Sequence, residues 1–148
     1  MGWDWSDIFI LNFIYLNDSM IFNFFFKINK SSGCKCSSFG ASPVGKLHLA
    51  VGDFNGNLEI YDLETKKPIY SVKAHDQMIN CLDAIGGQDI GYGAPEIVTG
   101  GRDGILIYCI LLTYLGCVRV WDPRQKSPVL SLEPVEKQTA VPDCWAVG

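Results

Sequence analysis

Apolar and polar positions change rhythm along this chain. From Cys34 onward, short apolar bursts alternate with clusters of Gly, Pro, Asn and Asp, the texture of strands joined by tight turns. Strands are predicted over residues 35–39, 47–51, 57–61, 69–72, 79–84, 96–99, 118–121 and 129–132. No convincing stretch there carries apolar residues at the 3.6-residue spacing of a helix, so the region reads as all-β. Two turns are typed by their residues: Asp53-Phe54-Asn55-Gly56 and Arg102-Asp103-Gly104 supply the positive-φ positions of tight hairpins.

Two segments break this rhythm. In residues 8–30, 18 of 23 positions are Phe, Ile, Asn, Lys or Tyr, whose codons begin with two A/T bases. Translated AT-rich non-coding DNA has this vocabulary, so 1–33 is expected to be an unrelated apolar tail, disordered or mis-predicted. It is a poor membrane helix, because Asn12, Asn17, Asp18, Ser19 and Asn23 interrupt a span that needs about 20 mainly apolar residues. It is also a poor secretory leader, since Asp4 and Asp7 stand where basic residues belong. The second segment is the apolar run ILIYCILLTYL, residues 105–115.

An internal repeat explains why that run is out of place. The string LAVGDFNGNLEIYDLETKKPIYSV lies over IVTGGRDG, then VRVWDPRQKSPVLSL. Gly52 and Gly56 recur as Gly100 and Gly104 at an offset of 48, whereas Asp62 and Pro68 recur as Asp122 and Pro128 at an offset of 60. The 12 extra residues are 105–116. They keep the reading frame and share the A/T-leaning vocabulary of the tail, so they are expected to be an insertion, a retained intron or gene-model error, and not an element of the fold.

Composition narrows the function classes. A hydrophobic share of 48% with 19% charged residues places the chain among globular domains. The net charge of -4 argues against a phosphate-neutralising surface; the short basic clusters at Lys66-Lys67 and from Arg124 to Lys126 read as solvated. Six cysteines without paired CxxC spacing read as reduced thiols, and with only His48 and His75 beside them no zinc site is expected. GASPVGKL, from Gly40, approaches a phosphate-binding loop, but Leu47 replaces the magnesium-binding hydroxyl and Pro43 removes a loop N–H. A nucleotide hydrolase using Gly40 to Lys46 is therefore the alternative to a binding module, together with a membrane-anchored fragment. GGQDIGYG, from Gly86, has the wrong spacing for a dinucleotide fingerprint. Asp83 and Asp89 are not positioned by any pattern as an acid–base pair. No nucleophile has a placed base, so no enzyme is expected.

Ala74-His75 precedes the second repeat unit and Trp121-Asp122 closes its third strand, which resembles the WD-repeat β-propeller family. The resemblance implies four-stranded blades and a buried structural relay, here His75, Thr99, Asp103 and Trp121. In the first unit the matching positions hold Val51, Asn55 and Tyr61, so the relay is degenerate there. Longer strings, among them FGAS, LAVGDFNGNLEIYDLE, YSVKAH, GAPEIVTGGRDG, VRVWDPRQKSPV and DCWAVG, are similar to the Monad family of WD-repeat proteins, assembly factors for axonemal dynein. That likeness implies a partial propeller over 34–148, about two blades of a seven-bladed parent, with the apolar insertion 105–116 inside it. It further implies a non-enzymatic, cytoplasmic interaction scaffold. The implied partners are a prefoldin-like, heat-shock-protein-90 co-chaperone complex, RuvB-like ATPases and dynein subunits, with no cofactor, no nucleic acid and no membrane.

Overall fold

A computed structural model describes residues 7–16, 19–39, 41, 46–85, 96–108 and 111–133. Its contacts divide the chain into two units, Met1–Cys34 and Lys35–Gly148.

The first unit holds a two-stranded antiparallel hairpin, β1 (Asp7–Leu16) and β2 (Ser19–Asn29), paired from Asp7↔Asn29 to Leu16↔Ser19. A disordered or mis-predicted tail was expected over 1–33; the backbone there is a hairpin over most of its length. Phe, Ile and Tyr favour the pleated backbone wherever they originate, and Asn17-Asp18, between the strands, are residue types that favour turns.

The second unit is built from two four-stranded antiparallel sheets, each strand beside its neighbour in the chain. One sheet runs β3 (Cys34–Phe39), β4 (His48–Asp53), β5 (Asn57–Asp62) and β6 (Lys67–Lys73). The other runs β7 (Ile79–Ile85), β8 (Glu96–Tyr108), β9 (Leu111–Trp121) and β10 (Leu130–Leu132). These strands fall on the eight predicted stretches, and no helix occurs among the described residues.

One prediction is corrected. Arg102-Asp103-Gly104 is not a turn: β8 runs straight through it to Tyr108, and β9 begins at Leu111. Pairing continues from Asp103↔Leu115 through Ile105↔Tyr114 to Tyr108↔Leu111, with Gly104 skipped as a bulge. The apolar run therefore lengthens a hairpin instead of standing outside the secondary structure. Physically, the Gly100↔Val118 ladder is already formed, and adding β-prone pairs beyond it needs no new long-range loop closure.

The core draws on both sheets. Ala50, Leu58, Ile60 and Tyr70 from the first join Ile79, Leu82, Ala84, Ile97 and Trp121 from the second. Each large member stabilises the fold by about 1.5–3 kcal/mol relative to an exposed position. Close approach of β4 and β7 depends on Gly52, where a Cβ would lie 2.8 Å from both Ile79 Cγ2 and Cys36 Sγ.

Candidate functional site

The link from β6 to β7 is anchored before it reaches the second sheet. Asp53 at the end of β4 accepts hydrogen bonds on Oδ1 from the amides of Asn55 (2.9 Å) and Asn57 (2.8 Å), and on Oδ2 from Asn57 Nδ2 (3.0 Å). That bracing lets Gly56 take φ +79°. The Gly56 carbonyl then accepts the amides of Ala74 (2.9 Å) and His75 (3.0 Å). A side chain at Gly56 would strike the backbone oxygens of His75 and Gln77. The turn of the first sheet thus presents His75 to the second.

There His75, Thr99, Asp103 and Trp121 meet in series. His75 Nδ1 lies 2.5 Å from Asp103 Oδ2, and His75 Nε2 lies 2.8 Å from Thr99 Oγ1. Trp121 Nε1 donates to Thr99 Oγ1 at 2.9 Å. With a neutral imidazole protonated on Nδ1, each link has one donor and one acceptor: indole N–H to hydroxyl, hydroxyl to Nε2, and Nδ1–H to carboxylate. The other carboxylate oxygen, Asp103 Oδ1, accepts the Asp76 amide at 2.5 Å. Gly101 makes room for the ring, because a Cβ there would enter the imidazole.

Arg119 was missed by the sequence reading. Its Nη1 lies 3.2 Å from Asp103 Oδ2 and donates to the Ala74 carbonyl, so one guanidinium ties β9 to the relay and to the link. The available signal was strand periodicity: Arg119 is two residues before Trp121 and therefore on the same face. Asp53 was missed as well, because the repeat alignment put Asn55 opposite Asp103 and left Asp53 opposite a glycine.

Burial alone pushes the Asp103 carboxyl up. The His75 hydrogen bond, the Asp76 amide and the Arg119 guanidinium outweigh it and hold the group below its ordinary value. The Cys117 thiol, pushed by burial first and then by the Asp103 charge, rises to about 11. His75, Thr99, Asp103 and Trp121 are at most 4% exposed. Such a cluster is closed to a substrate and is built to satisfy buried polar groups.

The first sheet has no equivalent chain of bonds through Val51, Asn55 and Tyr61. Val51 is buried and apolar, and the Tyr61 hydroxyl donates to Glu59 Oε2 at 2.6 Å. Of the GASPVGK stretch, Gly40 and residues 42–45 lie outside the described residues. The chain then enters strand β4, where a phosphate-binding loop requires a helix N-terminus. Residues 86–93, Asp89 among them, also lie outside. Asp83 accepts a hydrogen bond from Ser38 Oγ at 3.2 Å. Cys34, Cys36, Cys81 and Cys117 form no disulfide. Among the described residues no helix is long and apolar enough to cross a membrane.

The fold is all-β and has the form of a partial WD-repeat β-propeller: two consecutive four-stranded blades, the second carrying the polar series. The chain is similar to proteins named dynein axonemal assembly factor 10. It is 49% identical to that of Homo sapiens over 124 residues, which cover 82% of this chain and 31% of the relative. With the Chlamydomonas reinhardtii protein it shares 44% identity over 121 residues, 80% of this chain and 30% of the relative. It is also similar to the ASTRA-associated protein 1 of Penicillium rubens, 46% identical over 70 residues, 43% of this chain and 15% of that one. No family model matches the chain. The chain thus spans under a third of the assembly factors it resembles, and their name carries the axonemal dynein assembly role that the longer strings implied, without the Monad or WD-repeat name.

Proposed function

We propose that this chain supplies blades to a non-enzymatic interaction scaffold that acts in the assembly of axonemal dynein arms. The observation that carries the reading is the 49% identity over 124 residues to an axonemal dynein assembly factor. Two features of the fold support a scaffold: blades expose edges and loops to partners, and the polar cluster is sealed. In this reading His75, Thr99, Asp103 and Trp121 form a structural relay that fixes the second blade against the link from the first. Work is done in the cytoplasm with a prefoldin-like, heat-shock-protein-90 co-chaperone complex, RuvB-like ATPases and dynein subunits as partners. The test is a chimera in which the matching stretch of the human relative is replaced by this chain without 1–33 and 105–116. It is expressed in ciliated cells lacking the relative. Restored dynein arms and co-precipitation of the RuvB-like ATPases are expected. A chimera that is soluble and abundant yet restores neither would overturn the proposal.

A further inference from the structure

The basic cluster at Arg124 and Lys126 does not simply face solvent. Arg124 is held by its neighbour: Nη2 lies 2.8 Å from Asp122 Oδ2, and Nε lies 3.0 Å from both carboxylate oxygens. Lys126 reaches to the other blade. Its Nζ donates to the Ser71 carbonyl at 2.8 Å and stands 4.5 Å over the centroid of the Tyr70 ring, a cation–π arrangement. The Tyr70 hydroxyl in turn donates to the Gln125 carbonyl at 2.9 Å. The β9–β10 loop is therefore strapped to β6, the outer strand of the first sheet.

The next residue, Ser127, is exposed and precedes Pro128. Proline carries no N–H. Ser127 lies in a bend of the β9–β10 loop, and an exposed loop hydroxyl followed by a position with no donor to satisfy suits the cleft of a proline-directed protein kinase. We propose that Ser127 is a phosphorylation site for such a kinase, and that its phosphate releases the strap between the two blades. In the step, the Ser127 oxygen attacks the γ-phosphorus of a nucleoside triphosphate. The bond from that phosphorus to the β–γ bridging oxygen breaks, the nucleoside diphosphate leaves, and the hydroxyl proton passes to the kinase's base. The product puts a charge of about -1.5 to -2 beside Lys126. Asp122 already occupies Arg124, whereas Lys126 is held by a carbonyl and a ring, neither of which matches a phosphate dianion as a partner.

The experiment treats the full chain with a cyclin-dependent kinase and ATP, maps the phosphate by mass spectrometry, and measures backbone hydrogen exchange over β6. Phosphate is expected on Ser127, with incorporation reduced about tenfold or more in Pro128→Ala, the effect of one amide left unpaired in the kinase cleft. Exchange over β6 should rise about two- to fivefold, as expected for loss of a surface charge contact. Unmodified Lys126→Ala should show the same rise, and phosphorylating that variant should add nothing. Phosphate on Ser42, which precedes Pro43, without phosphate on Ser127 would overturn the site. Phosphorylated Ser127 with unchanged β6 exchange would overturn the release.

Discussion

Thr99→Val isolates the hydroxyl at the centre of the polar series. Valine fills nearly the same volume, so packing around this fully buried position hardly changes. The loss falls on Trp121 Nε1–H, 2.9 Å away, and His75 Nε2, 2.8 Å away, which are both left without their partner. Each orphaned buried group costs about 1–3 kcal/mol, and the added methyl returns about 0.8 kcal/mol. The net loss should be roughly 1–5 kcal/mol, a large part of the stability of a small domain. Thr99→Ser is the control: it keeps the hydroxyl and deletes a methyl, for a cost near 1 kcal/mol. Urea unfolding monitored by far-ultraviolet circular dichroism ranks the three proteins. The hydrogen-bonding argument requires Val to be clearly less stable than Ser, although Val is the more apolar residue. If Val matched or exceeded Ser, the contacts around Thr99 would be packing and nothing more.

Three further outcomes are expected. Because the folded carboxyl of Asp103 lies below its unfolded value, its contribution is present above the unfolded value, near pH 4, and is lost as pH falls through the folded one; urea midpoints should fall on acidification, and less so in Asp103→Asn. Parallel acid limbs in the two proteins would refute this, the half-buried Asp62 and Asp122 being common to both. Gly56→Ala should cost about 2 kcal/mol or more in the same melts, since alanine resists φ +79° and its Cβ would strike the His75 and Gln77 carbonyls. Iodoacetamide at pH 8 should modify Cys34 well before Cys117, whose thiol sits at about 11 and is buried; equal rates by peptide mapping would contradict that placement.

The strands were legible because a half-buried pleated strand leaves period-two patterning, and Gly, Asn and Asp mark where it turns. The polar series was legible only through the resemblance to WD-repeat blades, which implied a relay at His75, Thr99, Asp103 and Trp121. Arg119 and Asp53 were harder to see. The first acts through a carbonyl 45 residues away and the second through amides of its own turn; only the strand face shared with Trp121 pointed to Arg119, and no spacing pointed to Asp53. Lys126 looked solvated for a similar reason: its partner Ser71 is 55 residues distant in sequence. The apolar run stands apart. Comparing repeat units marks 105–116 as extra residues, and a ladder takes up strand-forming residues added at its end, as this one does.

The register of that ladder leads to the last prediction. In the first blade, five residues, Asp53 to Asn57, lie between the paired Gly52 and Leu58. In the second blade the corresponding pair is Gly100↔Val118. Deleting 105–116 would leave Gly101, Arg102, Asp103, Gly104 and Cys117 between them, again five residues, with Gly104 in the place of Gly56. Past Gly101 the extension has lost β7 and pairs with β9 alone. A two-stranded ribbon contributes little stability of its own. Removing the 12 residues should therefore restore an Arg102-Asp103-Gly104 turn, keep Asp103 on His75, and leave the urea midpoint equal or higher. It should also shift size-exclusion elution toward the monomer, because an apolar ribbon with an open edge pairs with other chains. The decisive comparison is Thr99→Val in the shortened chain. If the turn re-forms, the substitution costs the same roughly 1–5 kcal/mol as before. A shortened chain that unfolds at lower urea, or in which Thr99→Val has become neutral, would mean that the long hairpin is what holds Asp103 against His75, and that residues 105–116 are a working part of this blade.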